Sequence, residues 1–223
     1  MLNNLLSLFL ESRCALCERS TPESICEFCQ RQLYQCALNK PGCCWHGDLP
    51  LFAWGDYRGP LKRAIATLKY HNCPQLGELL GCWLAKAWVN TSANSHCVAV
   101  PIPLHAQKLK TRGYNQAAII ARSFCQYTNA SFQPHGLVRT RETQAMYELS
   151  REQRESNLRN AFSLGTFQQQ PPAVPVLLVD DVYTTGATVR QAAQVLRRHD
   201  IKVLGAATVS LALREGRRSL GGS

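Results

Sequence analysis

Residues 176–188 read Val-Leu-Leu-Val-Asp-Asp-Val-Tyr-Thr-Thr-Gly-Ala-Thr, and no other segment constrains the fold as much. Four apolar residues in a row make a short buried strand. Asp180 and Asp181 stand where that strand is expected to end. A hydroxyl-rich loop follows, Thr184-Thr185-Gly186-Ala187-Thr188, and then a helix opening on Val189. A loop at a helix N-terminus offers backbone N–H groups and the positive end of the dipole, which suits a phosphate monoester. Threonine hydroxyls add neutral donors, and Gly186 allows close backbone approach. Two carboxylates would repel a bare phosphate. They accept hydrogen bonds from the vicinal hydroxyls of a sugar that carries one. The segment therefore reads as a ribose 5-phosphate cradle.

No Gly-x-x-x-x-Gly-Lys-Ser/Thr loop and no Gly-x-Gly-x-x-Gly fingerprint occurs, which argues against a P-loop motor and a dinucleotide enzyme. The net charge of +10 is uneven. Residues 1–55 hold four Lys/Arg and five Asp/Glu, whereas residues 56–223 hold twenty-one and ten. The positive field thus belongs to the part with the phosphate cradle. Such a field attracts polyanions, nucleic acid among them, although a site tuned to one phosphorylated metabolite also accounts for part of it. Met1 to Leu10 is apolar but lacks a basic flank and a long apolar run. It reads as a short amphipathic helix docking on the body, with no signal peptide or membrane span, so a cytoplasmic protein with reduced thiols is expected.

Seven of the eleven cysteines fall between Cys14 and Cys44. Cys14-x-x-Cys17 and Cys26-x-x-Cys29 form two knuckles, enough for one tetrahedral zinc held by four thiolates. A redox-active Cys-x-x-Cys is the alternative, disfavoured because no thioredoxin-like strand precedes either pair. Cys36, Cys43, Cys44 and His46 read either as a second, irregular metal site or as the remnant of another knuckle pair. Cys73, Cys82, Cys97 and Cys125 read as ordinary buried small residues.

Along the chain, residues 1–50 read as a zinc-binding module, 51–213 as the main domain, and 214–223 as a flexible basic tail. Strands are expected at Phe52–Tyr57, His96–Val100, Val174–Val179 and Val203–Leu211, with a short one at Leu137-Val138. Helices are expected at Pro60–Lys69, Leu76–Val89, Gln116–Tyr127, 151–162 and Val189–Arg198. Alternation of strands and helices implies an α/β fold, a parallel sheet with flanking helices. Ligands of such sheets sit beyond the carboxyl ends of the strands, where Pro101–His105 and Asp180–Thr188 can face one pocket.

Residues 176–188 resemble the signature of type I phosphoribosyltransferases, whose ligand is 5-phosphoribosyl 1-pyrophosphate (PRPP). The resemblance extends over nearly the whole chain to the ComF/GntX family. It is carried by the cysteine knuckles, Leu68-Lys69-Tyr70, Pro101-Ile102-Pro103-Leu104 and Arg112-Gly113-Tyr114-Asn115-Gln116. Arg139 to Gln144, Arg151 to Phe162 and the PRPP signature complete it. The resemblance implies a type I phosphoribosyltransferase fold with an N-terminal zinc module. It also implies a competence role, handling incoming single-stranded DNA during natural transformation, with other DNA-uptake or recombination proteins as partners. In a PRPP pocket, Asp180 and Asp181 are the catalytic candidates, set against the ribose hydroxyls. Thr184, Thr185, Gly186, Ala187 and Thr188 would hold the 5-phosphate. Lys108 and Arg112 would neutralise pyrophosphate, with Mg²⁺ bridging. His105 is a candidate base or a solvated loop residue. Tyr114 and Trp45 are candidates for base stacking or for packing. A phosphoribosyltransferase of nucleotide salvage and a PRPP-sensing regulator fit the same loop.

Overall fold

The computed structural model describes residues 13–42, 44, 48–91, 96–140 and 161–212. Five strands make one sheet: β1 (Leu51–Asp56), β2 (Val98–Pro101), β3 (Ser131–Phe132), β6 (Val176–Tyr183) and β7 (Val203–Leu211). Their order is β1-β7-β6-β2-β3, and each pairing is parallel. Two further strands, β4 (Leu137–Arg139) and β5 (Phe162–Leu164), form a separate antiparallel pair.

Parallel neighbours need crossovers. Between β1 and β2 run α2 (Gly59–Tyr70) and α3 (Pro74–Thr91), after the earlier α1 (Glu27–Tyr34). Between β2 and β3 run α4 (Ala106–Arg112) and α5 (Gln116–Gln126), and α6 (Ala187–Arg198) joins β6 to β7. Helices cover both faces, so the inner strands are buried on both sides and read as apolar runs. One buried cluster joins Leu177 and Val179 of β6 to Leu68, Leu84 and Phe124 of α2, α3 and α5. The other joins Val176 and Leu178 to Val189, Ala192 and Leu196 of α6. The sheet with flanking helices is the architecture expected from the sequence.

The strand expected at Val203–Leu211 has those bounds, yet it lies inside the sheet between β1 and β6. Two helices were not expected. In α1, cysteines that read as metal ligands mask a helical segment that buries Cys29 and Leu33. In α4 no residue is buried, so no apolar period marks it. Its start is fixed instead by His105, whose Nδ1 accepts from the Gln107 N–H at 3.3 Å. The Cys-rich segment shares the core of the sheet: Cys14, Ile25, Cys29 and Leu33 lie in one buried cluster with Trp54 and Leu61. Tyr34 extends this contact, its ring 4.3 Å from that of Trp83. The expectations for Met1–Leu10, for Cys43, Trp45 and His46, for the tail and for the helix at 151–162 up to residue 160 lie outside the described residues, and the end of that expected helix is corrected, because Phe162 opens β5 instead.

Candidate functional site

On its β2 side, β6 stops pairing at Val179, opposite Pro101. On its β7 side it continues to Tyr183, opposite Leu211. The acidic pair therefore lies within extended backbone, past the point where one neighbour has ended. Consecutive strand residues point to opposite faces. Asp181 follows the parity of Leu177 and Val179, on the side of α2 and α5, and Asp180 follows Val176 and Leu178, on the side of α6. Asp181 is only 3% exposed. Its Oδ1 accepts from Gln116 Nε2 at 3.2 Å, and its Oδ2 lies 2.5 Å from Lys69 Nζ. Oδ2 has this ion pair and no hydrogen bond of regular geometry. The Asp181 N–H donates to Asp180 Oδ1 at 2.8 Å.

Burial disfavours the charged form of both carboxyls. At Asp181 the Lys69 ammonium and the Gln116 donor outweigh it and hold the carboxyl below its ordinary pKa. Asp180 has burial and then the Asp181 charge against it, and lies well above the carboxylate range. Lys69 is partly desolvated too, but the Asp181 carboxylate keeps it charged and raises its pKa. The two aspartates thus differ: Asp181 is engaged internally by Lys69 and Gln116 and has its pKa lowered, whereas Asp180 beside it has its pKa raised.

The run from Arg112 to Gln116 supports this arrangement. Arg112 Nη1 donates to Gln116 Oε1, and Gln116 passes the contact on to Asp181 through its amide. Asn115 caps α5 by accepting from the Ala117 N–H at 3.0 Å, while its Nδ2 donates to the Ile102 carbonyl at 3.1 Å. That bond ties the helix to the chain leaving β2. The Tyr114 hydroxyl donates to the Leu68 carbonyl, which pins the end of α2 beside Lys69. Of the two readings of Tyr114, the structure supports packing. His105 Nδ1 serves as the cap of α4, accepting from the Gln107 N–H.

Thr184 and Thr185 are exposed, Ala187 and Thr188 are half-buried, and Gly186 is buried. Gly186 adopts φ 72, a left-handed conformation natural to glycine, directly before α6. A Cβ there would collide with the Tyr183 hydroxyl, which lies 3.5 Å from Arg190 Nη1. Thr185 Oγ1 accepts weakly from the Ala187 N–H at 3.4 Å. Arg112 is half-buried and Lys108 is exposed on α4. The sequence marked Asp181 and Arg112 but missed the roles of Gln116 and Lys69. Gln116 is sixty-five residues from its partner, and nothing local reports the contact.

The four thiols of Cys14, Cys17, Cys26 and Cys29 converge, with all sulfurs within 4.8 Å of one another. Cys17 Sγ and Cys26 Sγ are 3.6 Å apart, close to the ~3.8 Å edge of a tetrahedron with Zn–S bonds of about 2.3 Å. Burial opposes a thiolate at Cys14, yet hydrogen bonding by the backbone at Cys26, Leu16 and Cys17 brings its pKa down to about 6. Burial and the crowding thiols push Cys29 up. This is a site able to hold a metal ion that prefers thiolates. Cys36 stands outside it, its sulfur 3.8 Å from the carbonyls of Gln32 and Arg58. Cys97 is an ordinary core thiol, pushed up to about 11 by burial.

Among the described residues no helix is long and apolar enough to cross a membrane. No protein-family model matches the chain. Competence protein F of Haemophilus influenzae is 31% identical over 161 residues, covering 69% of this chain and 70% of that protein. The DNA utilization protein YhgH of Escherichia coli K12 is 30% identical over 207 residues, covering 89% and 87%. The solved structure of the allosteric regulatory enzyme of purine biosynthesis aligns with a TM-score of 0.34 and 20% identity, over 61% of this chain and 24% of that one. Identity at this level, across so much of both chains, carries the resemblance read in the motifs to its conclusion: the protein belongs to the ComF family.

Proposed function

We propose that this protein handles incoming single-stranded DNA on the cytoplasmic side during natural transformation, and that it keeps a PRPP pocket beyond the carboxyl ends of β2 and β6. The observation that carries the DNA reading is kinship, over most of the chain, with proteins named for competence and for DNA utilization. The charge supports it, since residues 56–223 hold twenty-one Lys/Arg against ten Asp/Glu.

The pocket reading rests on the donor set. Exposed Thr184 and Thr185 and the turn at Gly186 suit the 5-phosphate, with Ala187 and Thr188 leading into α6. Asp180 is the more open of the two carboxylates and suits a ribose hydroxyl. Asp181 orients that edge of the site through Gln116 and Lys69. Arg112 and Lys108 supply positive charge for a pyrophosphate. Mg²⁺ bound with PRPP would spread its charge. The Cys14, Cys17, Cys26 and Cys29 thiols fit a structural zinc.

Fluorescence polarisation of a labelled single-stranded oligonucleotide tests the main reading, at low and high salt, with and without Mg²⁺-PRPP. Binding that weakens steeply with salt is expected, because released counterions drive it. A change on adding PRPP would tie the pocket to the DNA. Absence of binding at low salt would overturn the DNA reading. A second reading, a phosphoribosyltransferase of nucleotide salvage, is favoured by the intact Asp180–Thr188 loop. Pyrophosphate release from PRPP with one of a panel of bases would establish it, whereas PRPP binding without turnover would point to a sensor.

A further inference from the structure

Tyr70 is the most exposed large hydrophobic side chain among the described residues, at 74%. It ends α2 next to Lys69, and the two neighbours go opposite ways. Lys69 reaches in to Asp181, while Tyr70 stands in solvent with the Arg112 guanidinium 5.7 Å from its ring centroid. Folding gains nothing from leaving an aromatic ring open to water. On α4, Lys108 is one turn before Arg112 and shares its face. On α2, Arg63 is seven residues before Tyr70, on the same side of the helix and about 10.5 Å along its axis. Both side chains are exposed.

The stretch of chain that supplies these residues is poor in acids. Residues 57–141 contain eleven Lys/Arg and a single carboxylate, Glu78. Glu78 lies elsewhere, lining a groove with Arg122 and Gln126 between α3 and α5. Cations flanking one exposed aromatic ring match the demands of a single strand, whose phosphates need positive charge and whose unpaired bases offer flat faces. A duplex keeps its bases stacked internally and has no use for the ring.

We propose that Lys108, Arg112, Tyr70 and Arg63 form a track for single-stranded DNA, with a base stacked on Tyr70 and phosphates on the three cations. The track rests on the DNA reading above and gives it a surface. Because Arg112 also bonds Gln116, which holds Asp181, the track adjoins the ribose-phosphate pocket.

The test is polarisation of a labelled oligothymidylate across a salt series. Tyr70→Ala should weaken binding about tenfold with the salt slope unchanged, and Tyr70→Trp should retain it, since stacking persists. Lys108→Gln combined with Arg63→Gln should flatten the slope of log K against log salt by about 1.4, two phosphate contacts on a single strand. Lys110→Gln removes a like charge from the opposite face of α4 and should change little. The exposure of these side chains predicts unaltered melting of each variant. The track is overturned if the wild type binds and the Tyr70 and Lys108/Arg63 variants bind equally well. It is also overturned if Lys110→Gln costs as much as Lys108→Gln, which would make the effect one of net charge. A wild type that does not bind at low salt brings down the DNA reading itself.

Discussion

At Asp181 a single carboxylate organises three elements. It sits on β6, takes the Gln116 amide from α5 and holds the Lys69 ammonium from α2. Because its pKa is lowered from the ordinary 3.8, its contribution to stability is present above that value and lost as pH falls through the lowered one. Asp181→Asn should therefore destabilise the protein by about 1–3 kcal/mol at neutral pH, leaving a half-buried ammonium without its partner. Relief of the like charge on Asp180, whose pKa is raised, offsets part of this loss, because a raised carboxyl costs stability once the unfolded chain ionises. The gap between wild type and variant should narrow as pH drops below about 4, and urea unfolding at several pH values measures it. A gap that widens with acid would contradict the ion pair.

Between elements, α3 and α5 approach closely, and their contact depends on the smallest side chain. A Cβ at Gly81 would lie 2.5 Å from the Ile120 carbonyl oxygen and 2.8 Å from Ser123 Cβ. Backbone on the facing helix cannot yield as a flexible side chain would. Ser123 reinforces the contact, its hydroxyl donating to the Glu78 carbonyl at 2.7 Å. Gly81→Val should then cost about 2–3 kcal/mol through overpacking, even though valine is no poorer a helix former than glycine. Thermal melting decides the matter, since an unchanged or raised Tm would mean that the helices separate freely. The effect reaches the site, because α5 also presents Gln116 to Asp181.

Over the whole molecule, the thiol cluster and the sheet share one buried core. Cys14 and Cys29 lie with Leu33, Trp54 and Leu61, and the Trp54 and Trp83 rings are 5.2 Å apart. Metal bound by the four thiols should therefore stabilise the entire fold through mass action on the native state. Calorimetry should show one cooperative transition that moves to lower temperature with a strong chelator, with zinc released in proportion. Two transitions, only one of them sensitive to the chelator, would show that the module melts alone.

The sequence by itself determined the parallel sheet, the thiol knuckles and the hydroxyl loop before α6. These features are local: apolar runs, short cysteine spacings, and a glycine set among threonines before a helix. Pairing partners are not local, so only the tertiary structure decided that β7 lies inside the sheet and that β6 outruns β2. That difference in length leaves Asp180 and Asp181 within extended backbone, on opposite faces, with unequal roles. It also decided that Lys69 turns in and Tyr70 turns out. Nothing local in the sequence says which of two adjacent residues at a helix end turns inward, because that depends on what the rest of the chain packs beside them.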